Sequence, residues 1–146
     1  MTRPILSALL SAALALPLLL AQPLTTAHAF WRHSDREALA CDDPKVLKRI
    51  TSKFRTQARE VHHDKLLAIA SYDAVHEHRY LERRDNRPIA RRYCGATATL
   101  SDGRERTLWY LIERGVGFAS IGDNVEFCIS GFDRWNVYNN SCRILR

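Results

Sequence analysis

His76-Glu77-His78 is the segment of this sequence whose residue types and spacing come nearest to metal chemistry. Side chains two apart on a β-strand share a face, so both imidazoles would point the same way. A catalytic zinc needs three fixed protein ligands and an open position. His62 or His63 is the candidate third ligand. The plainer reading is a solvated strand end among Arg79, Glu82, Arg83 and Arg84. A second concentration of chemistry is basic: Arg79, Arg83, Arg84, Arg87, Arg91 and Arg92 fall within 14 residues, with Glu82 and Asp85 between them. Guanidinium forks recognise carboxylates and phosphates, so such an edge can meet phosphate, acidic glycans, lipid headgroups or an acidic protein. Arg83, Arg84 and Arg87 are the candidate binding residues, against the plainer reading of charges that deter strands from pairing edge to edge. The third feature is Gly131-Phe132-Asp133-Arg134-Trp135-Asn136-Val137-Tyr138. Aromatic rings in a closed loop stack on sugars or grip a partner, which makes Trp135 and Tyr138 candidates. Their plainer role is to plug the open end of a small core.

Catalytic patterns are otherwise thin, and no catalytic residue is assigned. Glu113 and Glu126 are two strand carboxylates of the kind a hydrolase pair would need. The serines lack a nucleophile-elbow context. Gly115-Val116-Gly117 is too short a glycine pattern for a phosphate cradle.

These residues need elements to hold them. Asp42-Asp43-Pro44 reads as a helix start, with an Asp to cap free backbone donors and Pro in the first turn. Val46, Leu47, Ile50, Phe54, Ala58 and Val61 then recur at helical spacing, with basic residues between them, up to His62-His63-Asp64. The remainder reads as strand. Leu66 to Tyr80 favours extended structure, Glu82 to Pro88 is a charged turn, and Ile89 to Leu100 alternates. Asp102-Gly103 marks a hairpin. Thr107 to Glu113 carries apolar residues on both faces, as a central strand does. Phe118 to Ile121 reads as a short strand and Val125 to Ile129 as the last one. The fold class is therefore α+β: one long N-terminal helix packed on a curved antiparallel sheet of three to five strands, an order that cystatin-like folds share.

Location comes from the leader and the cysteines. Ile5 to Ala21 is an uncharged run of about 17 residues, at the short end of the ~17–25 a spanning helix needs. Pro17 and the polar stretch before Ala27-His28-Ala29 favour a cleavable signal over residues 1–29, cut before Phe30. Residues 30–146 then form a single domain, with Phe30 and Trp31 as apolar anchors at its start. The whole chain has 22 Lys and Arg against 16 Asp and Glu; losing Arg3 with the leader leaves a net charge of +5. All four cysteines follow the leader, so they read as disulfide partners in an oxidising compartment. Cys128 and Cys142 bracket a loop of 13 residues, which leaves Cys41 for Cys94. The alternative is Cys94–Cys128 with Cys41–Cys142. No Cys-x-x-Cys motif supports a zinc knuckle or a thiol-exchange site.

Several segments carry a likeness: Cys41-Asp42-Asp43-Pro44, Arg91-Arg92-Tyr93-Cys94, Leu100-Ser101-Asp102-Gly103-Arg104, Trp109-Tyr110-Leu111-Ile112-Glu113, Asn124-Val125-Glu126-Phe127-Cys128 and Trp135-Asn136-Val137-Tyr138. With them the chain resembles small exported alphaproteobacterial proteins of unknown function. The resemblance implies a periplasmic setting and no activity.

The expectation is a periplasmic or secreted, non-enzymatic binding module for an anionic envelope component or a partner protein. The alternatives are a small envelope hydrolase or metal-dependent enzyme using His76 and His78, and a structural envelope protein without ligand. No cofactor, no nucleic-acid partner and no stable membrane insertion after loss of the signal are expected.

Overall fold

The computed structural model describes residues 38–120 and 122–146. The export segment 1–29, the cleavage point before Phe30, the anchors Phe30 and Trp31, and Ile121 lie outside the described residues. Helix α1 runs Pro44–Val61. Asp43 caps it: its Oδ1 accepts from the Lys45 N–H at 2.7 Å, and Pro44 stands in the first turn where a missing N–H costs nothing. The helix ends at His62, with His63 in the left-handed region (φ 57°) and the Asp64 N–H closing back on the Ala58 carbonyl at 3.0 Å.

Four strands follow: β1 (Ile69–Leu81), β2 (Arg91–Leu100), β3 (Glu105–Glu113) and β4 (Asn124–Ile129). They form one antiparallel sheet in the order β1-β2-β3-β4. The helix and this sheet give an α+β fold. α1 lays Val46, Ile50, Phe54 and Ala58 on one sheet face, and all four are buried. Beneath them β2 offers Ala96 and Ala98, small enough for the bulky Phe54 and Ile50 to seat against the strand, while Leu108, Tyr110 and Ile112 of β3 fill the centre. A smaller apolar cluster lies on the opposite face, where Cys142 and Leu145 of the tail cover Leu111 and Cys128.

Polar bonds fix the helix laterally. Toward β1, the Tyr72 hydroxyl donates to the Leu47 carbonyl (3.1 Å) and meets Thr51 Oγ1 (2.7 Å). Toward β4, Arg49, Lys53 and Gln57 stand one helical turn apart and donate in succession to the carbonyls of Asp123, Val125 (2.7 Å) and Phe132 (3.0 Å). β4 is an edge strand, and Lys53 occupies one of its carbonyl groups while Arg49 and Gln57 hold the chain on either side of it.

Two disulfides complete the frame: Cys41–Cys94 ties the start of α1 to β2, and Cys128–Cys142 ties the tail to β4. Tyr110, fully buried, adds a bond from its hydroxyl to the Cys41 carbonyl at 2.8 Å. Two disulfides and no free cysteine among the described residues fit an oxidising, extracytoplasmic environment. No helix among the described residues is long and apolar enough to cross a membrane.

One expected strand is absent. Phe118–Ser120 is a 3₁₀ turn, not extended chain. Gly115 and Gly122 take positive φ, the Gly117 N–H bonds to the Gly122 carbonyl at 2.9 Å, and the loop closes on itself without reaching a strand partner. Phe118 is left 96% exposed.

The two bridges close loops of different length, with sequence separations of 53 and 14 residues. Loop entropy therefore predicts that Cys41→Ala/Cys94→Ala costs about 4 kcal/mol and Cys128→Ala/Cys142→Ala about 3 kcal/mol. Urea unfolding of both double variants measures this, and a larger loss at the short loop would contradict it.

Candidate functional site

The expected site residues lie in three places. The first is the end of the sheet where β1 hands over to β2. Arg84 and Arg87 pair main chain to main chain (2.8 and 2.9 Å) around a turn at Asp85-Asn86. The adjoining Arg83, Pro88 and Ala90 wall a cavity of about 360 Å³ whose far side is Arg114, Gly115, Gly122 and Asp123. Asp123 is the buried charge beneath it. Its carboxylate accepts from the N–H groups of Leu39 (3.1 Å) and Gly115 (3.2 Å) and from Arg114 Nη1 (3.2 Å). One side chain thus joins the chain leading into α1 to the β3–β4 turn.

The arginines of this end divide into two kinds. Arg91 pairs with Glu113 at 2.9 Å. Arg92 pairs with Glu77, bonds to the Ala38 carbonyl at 3.2 Å and lies 4.6 Å over the Tyr80 ring. Arg79 is stacked 3.7 Å over the Tyr93 ring, a cation–π contact. Arg83, Arg84 and Arg87 have no carboxylate partner among the described residues. The structure engages Arg79, Arg91 and Arg92 with its own rings and acids, while Arg83 and Arg84 are exposed and Arg87 is half-buried.

The second place is the opposite end, past β4. Trp135 is 67% exposed, whereas Tyr138 is half-buried against the Cys128–Cys142 cluster. The Tyr138 N–H donates to Asp133 Oδ2 at 3.2 Å, and burial, with Glu126 and Asp133 adding to it, pushes the phenol pKa up. Tyr138 is thus the plug, and Trp135 stands free beside it. A cavity of about 260 Å³ opens next to Trp135, between Val61 of α1 and Phe127, Phe132 and Val137. The loop is held in a costly shape. Asn136, Asn139, Asn140, Ser141 and Cys142 all have φ between 53° and 61°, the left-handed region that disfavours residues with a Cβ. This end is separated from the Arg83 cavity by the length of the sheet, so the structure does not combine Arg83, Arg84 and Arg87 with Trp135 and Tyr138 in one surface.

The third place is the sheet face away from α1. Register shifts in β1 and a left-handed Ala74 (φ 50°) bend the strand around His76 and His78. Both imidazoles turn to Trp109, with ring centroids 6.3 and 5.2 Å from it. His76 Nδ1 bonds to the Ala74 carbonyl at 2.8 Å. Gly95 makes this packing feasible, since a Cβ there would lie 2.7 Å from His76 Cε1 and 2.9 Å from Trp109. The two imidazoles do share a face, as the spacing implied. The third ligand does not join them: His62 packs edge-on against Phe132 at 5.0 Å, on the helix side. Among the described residues no group of three or more His, Cys, Asp or Glu could hold a metal ion. Glu113 is held by Arg91 and by Asn124 Nδ2 (3.2 Å), so it and Glu126 do not make a free carboxylate pair.

No sequence signal pointed to Asp123, because a single Asp in a Gly-Asp turn reads as a turn residue. No family model matches the chain, and neither a curated protein nor a solved structure does.

The His78 pKa is lowered from the usual imidazole value, first by desolvation, then by His76 and Arg79, with Glu77 opposing. A depressed folded pKa means the unfolded chain binds the proton more readily, so this contribution to stability is complete above the unfolded pKa and declines as pH falls toward the folded one. NMR titration should give His78 a midpoint below about 6.5. The midpoint should move back up in His76→Gln. Gly95→Ala should displace both rings, changing Trp109 emission and costing about 1–3 kcal/mol. An unchanged Trp109 spectrum in that variant would refute the packing argument.

Proposed function

We propose that this protein is an exported, non-enzymatic binding module, periplasmic or secreted after loss of residues 1–29, that recognises an anionic component of the cell envelope. The observation that carries this reading is Arg83, without an acid partner among the described residues, in the wall of a cavity of about 360 Å³, with Arg84 and Arg87, likewise without acid partners, paired main chain to main chain in the adjoining turn. Guanidinium groups left unneutralised beside a concave surface are poised for phosphate or carboxylate, and each fork can engage such a group bidentately. Arg114 in the same wall is already bonded to Asp123, so it shapes the cavity while Arg83 supplies the charge. The turn at Asp85-Asn86 fixes the spacing between Arg84 and Arg87 through two main-chain bonds. This lowers the entropy that a ligand must overcome on binding. The net positive charge of the mature chain adds attraction at longer range.

A short sulfated oligosaccharide serves as the test probe. It should shift the amide signals of Arg83 to Arg87, Gly115 and Gly122, and added salt should weaken it. Arg83→Ala/Arg84→Ala/Arg87→Ala should lower its affinity by roughly tenfold or more. Shifts confined to other parts of the molecule, or an affinity unchanged in the triple variant, would refute the site.

A further inference from the structure

The outer face of α1 carries a second, distinct concentration of charge. Lys45, Lys48, Ser52, Arg55 and Arg59 are exposed and recur at steps of three and four, so they form one stripe along the helix, opposite the buried stripe of Val46, Ile50, Phe54 and Ala58. Arg49 and Lys53 flank it, with their charge directed to carbonyl groups rather than to acids. The single acid of the helix, Glu60, is taken by Arg59 at 2.6 Å. Lys45, Lys48 and Arg55 have no carboxylate partner among the described residues. At 1.5 Å rise per residue, the stripe from Lys45 to Arg59 runs about 21 Å of this helix.

Apolar side chains stand near the C-terminal end of the helix, on its β4 side, where Gln57 and Val61 face them. Arg134 donates to the Val61 carbonyl at 2.9 Å, which fixes the neighbouring Trp135 against the helix end. Trp135, Val137 and Ile144 are 67%, 63% and 56% exposed. They share continuous concave surface with Phe127 and Tyr138, beside Lys53. The left-handed backbone from Asn139 to Cys142, closed by the Cys128–Cys142 bridge, holds these groups outward in a fixed shape.

From this arrangement we infer that α1 and the Trp135 loop dock the folded protein on the surface of a bilayer containing anionic phospholipid. The cationic stripe meets the headgroups. Trp135, with Val137 and Ile144 beside it, enters the headgroup–acyl boundary, where an indole has its apolar body and its N–H both satisfied. Charge complementarity selects this partner. A soluble polyanion would use the stripe and leave Trp135 without a role, whereas a bilayer of anionic phospholipid offers charge to the stripe and an apolar layer to Trp135. This goes beyond the binding site at Arg83, which adjoins the Lys45 end of α1 and lies away from Trp135.

The test is co-sedimentation of the mature, disulfide-bonded chain with vesicles of phosphatidylcholine alone and with phosphatidylglycerol added. Binding should require phosphatidylglycerol and fall as salt rises. Lys45→Gln/Lys48→Gln/Arg55→Gln should weaken it by roughly tenfold or more. Trp135→Phe should reduce the quenching of tryptophan emission by brominated acyl chains, and Trp135→Ala should weaken binding. Arg104→Gln, on the β2–β3 hairpin and outside the α1 stripe, should change nothing. All substituted positions are exposed, and matching urea midpoints confirm that the variants fold. Equal binding to both vesicle types, full binding by the α1 variant, unchanged quenching in Trp135→Phe, or loss of vesicle binding on removing only Arg83, Arg84 and Arg87 would each overturn the inference.

Discussion

The structure depends on a match between two repeats. Four residues of helix advance about 6.0 Å, and two residues of strand advance about 6.6 Å. Arg49 and Lys53 are four apart on α1 and reach carbonyls two apart on the β4 side, Asp123 and Val125, so neither side chain has to stretch. Gln57 continues the row to Phe132, beyond the strand end. The row covers the open edge of the sheet and fixes the helix axis along it. It also decides which way the rest of α1 faces. With Arg49, Lys53 and Gln57 turned toward β4, the apolar stripe must lie on the sheet, Thr51 must meet Tyr72 on the β1 side, and Lys45, Lys48, Arg55 and Arg59 must point to solvent.

The cost of this arrangement is visible in the cation itself. Burial lowers the pKa of Lys53, with the neighbouring Arg49 adding to the effect and Glu126 opposing it. Two cations set side by side repel, yet both remain because each main-chain carbonyl left bare at the edge would be worse satisfied without them. Asp123 meets Arg49 through its main chain. Its carboxylate is wholly engaged by Leu39, Gly115 and Arg114, and its carbonyl receives Arg49. The same residue therefore joins the helix row to the floor of the Arg83 cavity. That floor is consequently held in place, with Arg83 in the wall beside it.

Much of the frame is legible in the sequence because it rests on local period. Val46, Ile50, Phe54 and Ala58 announce a buried helix stripe, and the apolar residues on both faces of Leu108 to Ile112 announce an inner strand. The bridges Cys41–Cys94 and Cys128–Cys142 follow from the short loop that the latter pair encloses. What could not be read depends on contacts distant in sequence. Phe118 to Ile121 has strand composition, but a strand needs a partner, and the glycines at 115 and 122 turn the chain back before one is reached. His62 could be counted as a ligand only by ignoring Phe132, which lies 70 residues on. The partners of the other arginines were equally hidden, since Glu113 for Arg91 and Tyr93 for Arg79 are cross-strand neighbours and not sequence neighbours.

The helix row sets the Arg83 cavity and the Trp135 loop at opposite ends of α1. Arg49 fixes the start of α1 beside Asp123 and the Arg83 cavity, and Arg134 fixes its end beside Trp135. A small ligand cannot span about 27 Å of helix, so the cavity and the loop must be occupied independently. A flat partner lying along α1 would cover Lys45 to Arg59 and the Trp135 loop while leaving the Arg84–Arg87 turn projecting from the sheet end. The arrangement therefore suits a body that is held on one surface and presents its free guanidinium groups to something else. That consequence follows from where the helix is pinned, whatever the identity of either partner.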